Sequence, residues 1–167
     1  MLTFHELYER HAQDVYRFAY WMCGNAADAE DITSETFVRA WVAQTPIRTE
    51  TVKAYLFTIA RNLYRQQRRH SKREVQLDLF ERDPAPTPHQ LVEDRLALEE
   101  AQASIQALPE VDRAALIMRV LYEMPYEEIA RALSLSVVAA KVKVHRARLR
   151  LAEARLKKEK RDHVHQS

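Results

Sequence analysis

Apolar positions recur at intervals of three and four along most of the chain, in runs separated by short breaks. Phe4, Leu7, Tyr8, His11, Val15, Phe18, Ala19 and Met22 make the first stripe. Thr3 and Glu6 open it with capping-box spacing, and Gly24, the sole glycine, supplies its stop. Asn25 is suited to cap a second helix, with Asp28 and Glu30 in its electropositive first turns, that runs to about Gln44, before Pro46. A third helix, beginning near Thr49 or Thr51, places Val52, Tyr55, Leu56, Ile59, Ala60 and Leu63 on one face. Together these predict a small three-helix bundle.

The pattern breaks over 74–90, EVQLDLFERDPAPTPHQ, whose three prolines cannot sit inside a helix. This stretch reads as an extended acidic linker, and Thr87–Pro88 then suits the start of a helix through about Ala107. Pro109 opens a further helix and Pro125 ends it. The eight residues YEEIARAL, too short to be stable alone, lead through SLS into a long basic helix over roughly 137–160. A short helix, a tight turn and a longer basic helix predict a helix-turn-helix. With no alternating β-branched runs bounded by hairpin turns, the expected fold is all-α. It comprises two small helical domains, 1–73 and 91–167, joined by the acidic, proline-containing linker 74–90.

Composition adds little until charge is followed along the chain. The formal net charge is +2, yet residues 51–73 carry seven Lys and Arg and no acid, and residues 136–167 carry ten against three. Between them, residues 74–112 carry ten acids against two bases. Both basic blocks fall in helices with apolar periodicity, so they predict two positive faces on folded elements, the electrostatic footprint of a polyanion. Cys23 alone allows no intrachain disulfide and reads as a small buried hydrophobe. No secretory pattern or membrane-length apolar run is present, so a cytoplasmic protein without membrane insertion is expected. The chain ends within a few residues of the last helix, which argues against a further C-terminal domain.

Three helix faces carry candidate chemistry. On the second helix, Ala29, Ile32, Thr33, Thr36, Phe37, Ala40 and Trp41 fall on the core side, and Asp28, Asp31, Glu35, Val38 and Val42 on another. The second stripe could be merely solvated, but carboxylates mixed with exposed valines suit a protein interface. On the third helix, Phe57, Arg61, Tyr64, Arg65 and Arg68 lie opposite the core stripe and lead into Arg69, His70, Lys72 and Arg73. Arginines interleaved with aromatic rings predict contact with phosphates and unpaired bases. The alternative is that Phe57 and Tyr64 belong to the core and the arginines are solvated. On the last helix, Ala140, Val144, Ala147 and Leu151 face inward, ringed by Lys141, Lys143, His145, Arg146 and Arg148, as a major-groove helix requires. No catalytic constellation, cofactor loop or metal-ligand cluster competes with these faces. His163 and His165 fall in a frayed tail, so neither an enzyme nor a cofactor is expected.

DAEDITSETFVRAW, AYLFTIARNLYRQQRR, LPEVDRAALIMRVLYEMPYEEIARALSLS and KVKVHRARLRL, in that order, resemble the extracytoplasmic-function (ECF) sigma factors of bacterial RNA polymerase. The resemblance implies that Asp28, Asp31, Glu35 and Arg39 dock on the β′ clamp helices of core polymerase, with Phe37 and Trp41 supporting from the core. It implies that Lys53, Tyr55, Arg61, Asn62 and Arg65 open and hold the minus-ten promoter region. Tyr64, Arg68 and Arg69 extend that surface. It also implies that the helix-turn-helix reads the minus-thirty-five element and meets the β flap, with Ser136 and Val137 at the start of the reading helix. The linker is expected to follow the RNA-exit path, and an anti-sigma factor to restrain the protein.

Departures from the family pattern are specific. Ser34 stands where glutamine is common, and Tyr55 where tryptophan is frequent. Ser134 replaces the turn glycine, while Val137, Val138, Ala139 and Ala140 replace a polar helix start, leaving thymine methyls as the only base features those side chains can touch. A self-sufficient helix-turn-helix regulator is the rival from another class. It would explain residues 109–160 but give the acidic and Arg-aromatic helices no task.

Overall fold

A computed structural model describes residues 3–43, 52–74 and 89–166. Among them are seven helices and no strand: α1 (Phe4–Cys23), α2 (Ala26–Ala43), α3 (Val52–Glu74), α4 (His89–Gln106), α5 (Glu110–Val120), α6 (Tyr126–Leu133) and α7 (Val137–His165). Residues 44–51 and most of the predicted linker, with its Thr87–Pro88 start signal, lie outside the described residues.

The local signals act as expected. The Thr3 hydroxyl accepts from the Glu6 amide, the Glu6 carboxylate accepts from the Thr3 amide, and Gly24 ends α1 at φ +73°. In that left-handed conformation a side chain at position 24 would be strained. Its missing Cβ would also lie 3.3 Å from the Gln102 amide. Asn25 Oδ1 accepts from the Asp28 amide at the start of α2. Ser136 Oγ accepts from the Ala139 amide and so caps α7. Ser134 takes the left-handed conformation (φ 55°) that closes α6, a backbone geometry that favours glycine. The last helix runs five residues beyond its predicted end, so His163 and His165 are helical rather than frayed.

The bundle of α1–α3 closes over Val15, Phe18, Met22, Ile32, Phe37 and Leu56, all buried. The α5–α7 unit closes over Ala114, Met118, Ile129, Ala140 and Val144. These two lobes pack against each other. Phe57 of α3 stacks on Phe18 with ring centres 4.6 Å apart, and Tyr122 packs against it at a tilt with centres 4.8 Å apart. Such ring pairs add about 0.5–1.5 kcal/mol each beyond area burial. Tyr122 Oη donates to the Asp14 carbonyl at 2.8 Å, and burial pushes its phenol pKa well up.

The C-terminus of α1 is closed by the other lobe. Helix α1 has no basic residue in its last turn. Gln102 donates to Tyr20 O and Gln106 to Trp21 O and Met22 O, while the Arg113 guanidinium donates to Met22 O. A cation on carbonyls at the negative end of the helix dipole is favourable, so α4 and α5 supply what α1 lacks.

Candidate docking and nucleic-acid interfaces

The acidic face of α2 is open. Its inner side is buried at Ala29, Ile32, Thr33, Thr36, Phe37 and Ala40, and the Thr33 and Thr36 hydroxyls are satisfied by carbonyls four residues back. Asp28, Asp31, Glu35 and Arg39 are exposed, as are Val38 and Val42. Glu35 holds Arg39 at 3.2 Å, and a second Arg39 nitrogen reaches Gln66 of α3. Trp41 does not join the core. It is 53 % exposed, packed edge-on against Phe4 with centres 5.4 Å apart, which extends the apolar part of the stripe. The α1–α3 bundle leaves the last turn of α2 uncovered, and helical spacing alone could not reveal that.

The Arg-aromatic face of α3 is largely covered. Phe57, Arg61 and Tyr64, placed by periodicity opposite the core, are all buried, because the second lobe covers that side. Arg61 makes a bidentate pair with Glu110 at 2.6 and 3.0 Å. Tyr64 Oη lies 3.1 Å from Arg113. Tyr55 and Ile59, expected in the core, are only half-buried. Asn62, Arg65, Arg68 and Arg69 remain exposed, and Lys53 pairs with Asp14 at 3.5 Å. The alternative reading of Phe57 and Tyr64 as core was therefore correct, but the core is shared with the other lobe.

On α7, Ala140, Val144 and Ala147 are buried and Leu151 half-buried, as their spacing predicts. Asp112, itself fully buried, accepts two hydrogen bonds from Arg146 at 2.9 and 3.0 Å and lies 3.8 Å from Lys143. That bonding raises the Arg146 pKa above its ordinary value. Both basic residues therefore have structural partners, and the Ser136 hydroxyl is engaged as the helix cap. Lys141, His145 and Arg148 are exposed, with Lys141 5.7 Å from the Tyr126 ring centre. Val138 is 72 % exposed and Val137 half-buried, so the start of α7 presents an apolar tip. Among the described residues no cluster of His, Cys, Asp and Glu could hold a metal ion, and no helix is long and apolar enough to cross a membrane. Cys23 is half-buried, its thiol donates to Asn25 O, and burial raises its pKa.

An open acidic helix, an arginine-rich third helix and a helix-turn-helix occur here in one chain. The sigma-70 region 2 family matches residues 7–74 and the sigma-70 region 4 family residues 98–151. The ECF RNA polymerase sigma factor SigE of Mycolicibacterium smegmatis is 33 % identical over 158 residues, covering 92 % of this chain. The chain belongs to the ECF sigma factors.

It spans 62 % of the length of that SigE. The ECF sigma factor SigM of Bacillus subtilis is also 33 % identical, over 90 % of this chain and 93 % of its own. Two solved structures share the arrangement of this ECF sigma factor. The sigma factor RpoE of Bartonella quintana, in complex with the anti-sigma factor NepR, has a TM-score of 0.73 at 29 % identity, covering 90 % of this chain and 95 % of that one. CnrH, in complex with the cytosolic domain of CnrY, has a TM-score of 0.69 at 26 % identity, covering 90 % and 85 %. The residues missed by sequence reasoning are Glu110, Arg113 and Tyr122, which join the lobes, and Asp112, which ties α5 to α7 within the second lobe. Their signal was faint, since an acid and an arginine near a helix start read as ordinary first-turn charges.

Proposed function

We propose that this ECF sigma factor binds core RNA polymerase, directs it to promoters and assists their opening, with no catalysis of its own, in the cytoplasm. The observation that carries this reading is the open α2 stripe, with exposed Asp31 and Glu35 beside exposed Val38, Trp41 and Val42. A charged rim around an apolar centre fits a protein partner, here the β′ clamp helices. The remaining division of labour follows the expected domains, with region 2 over 1–73, the linker over 74–90 and region 4 over 91–167. Asn62, Arg65, Arg68 and Arg69 would meet the minus-ten strand first. Arg61 and Tyr64 would follow only after the lobes part, because Glu110 and Arg113 hold them in the closed arrangement. The β flap and the minus-thirty-five duplex would engage α5–α7 through Lys141, His145 and Arg148. Because RpoE was solved with the anti-sigma factor NepR, a restraining protein of that kind is proposed here as well.

The deciding experiment is capture of purified core polymerase by the tagged protein, followed by run-off transcription from a promoter that core alone does not use. Capture with transcription is the expected result. Tight duplex binding without capture would instead indicate the stand-alone helix-turn-helix regulator.

A further inference from the structure

Ala140, Val144 and Ala147 of α7 pack inward, and the opposite face of its first turns carries Val138, Lys141, Val142, His145 and Arg148, all exposed. Val138 is 72 % exposed and Val142 52 %. The polar groups around them are already committed. Ser136 Oγ accepts from the Ala139 amide, and Lys143 and Arg146 turn back to buried Asp112. Lys141 leans toward α6, where the Tyr126 ring also lies beneath Arg119 at 4.3 Å. No side chain from 137 to 140 carries a donor or an acceptor. What the start of α7 offers a partner is therefore a pair of valines one turn apart.

We propose that Val138 and Val142 select thymine in the duplex that α7 enters, each packing against a C5-methyl group in the major groove. That α7 enters a duplex at all rests on the function proposed above; the base it reads comes from the valines. Thymine alone among the four bases carries a methyl group on its major-groove edge. Against guanine, cytosine or adenine, a valine covers polar edge groups without bonding them, which is costly. Residues four apart on a helix stand about 6 Å apart along its axis. Base pairs stack about 3.4 Å apart, so the two side chains span neighbouring or next-but-one pairs. A helix lying along the groove thus asks for two closely spaced thymines, on either strand. Lys141 and Arg148 flank the valines with charge of one sign, opposite to that of DNA. That charge favours a duplex over an apolar protein groove as the occupant, and phosphate contacts from it hold the helix without choosing a sequence.

The test takes the full chain, alone and with core polymerase, and selects from duplexes with a randomised segment of about one helical turn. The double variant Val138→Ala/Val142→Ala changes only exposed side chains, should fold, and is selected in parallel. Duplexes enriched by the wild-type chain and not by the variant should carry thymines on neighbouring or next-but-one base pairs. Uracil in place of either thymine deletes the methyl alone and should weaken binding about fourfold, the effect of one buried carbon; both together should cost about tenfold or more. A C·G pair at either position should also weaken binding, and 5-methylcytosine there should recover part of the loss. The double variant should bind thymine and uracil duplexes alike. Equal wild-type affinity for thymine and uracil, a thymine preference that survives in the variant, or no enrichment with either form of the protein would each overturn the assignment and leave the valines to a protein partner. Capture of core polymerase is scored separately. Thymine-dependent binding without capture would uphold the valines and sink the polymerase-binding role, and capture without thymine dependence would do the reverse.

Discussion

Helices α2 and α3 lie side by side, and each carries a core stripe and a second, chemically distinctive stripe. In α2 the second stripe is open to solvent from Asp28 to Val42. In α3 it is mostly closed, with Phe57 fully buried and Arg61 8 % exposed. The difference does not come from the helices themselves. Nothing in the described structure packs on the acidic side of α2, whereas α5, α6 and Tyr122 cover α3. A face rich in charge is therefore not a free face, and the same arginine that suits a phosphate can be held by a carboxylate from another lobe.

The comparison breaks most clearly at the aromatic residues. Phe57→Ala removes a ring stacked on Phe18 and tilted against Tyr122 and should cost about 3–5 kcal/mol in urea unfolding. Trp41→Ala removes a half-exposed ring and should cost about 1 kcal/mol or less. Similar costs for the two would mean that the stripes are equally buried.

Next comes the open stripe. Asp31→Lys with Glu35→Lys should weaken capture by core polymerase roughly a hundredfold, or about 2.7 kcal/mol, because reversed charges meet the partner with the wrong sign. The unfolding free energy should change by about 0.5 kcal/mol or less, since exposed charges contribute little to folding. Undiminished capture would leave α2 as only a solvated face.

On the closed stripe, Glu110→Gln leaves Arg61 in place without its charge partner. It should cost about 1–3 kcal/mol, the upper end applying if Arg61 stays buried. Labels on α2 and α7 should then report a larger interlobe separation by energy transfer, and the free chain should bind single-stranded DNA more tightly. If the distance does not change, the pair is not what holds the lobes together. The smallest expected effect is Ser134→Gly, which relieves left-handed strain and should stabilise by about 0.5–1 kcal/mol in the same urea assay.

Much of the molecule was legible from the chain itself. The spacing of apolar residues and the cap signals at Thr3, Gly24, Asn25 and Pro109 placed six of the seven helices to within a few residues, because these are local effects of backbone geometry and hydrogen bonding. The end of α7 was misplaced because a charged, exposed helix has no apolar stripe to mark its limit. The motifs that identify an ECF sigma factor were also local. Which faces are open was not. Trp41 lies outside the core because, among the described residues, it meets only the edge of Phe4 at the start of α1, and Arg61 and Tyr64 lie inside because a second lobe brings their partners from 49 residues further along the chain. Periodicity records which residues share a face of one helix; only the packing of α5 and α6 on α3 decides what that face meets, because burial is a property of two surfaces and a helix carries only one of them.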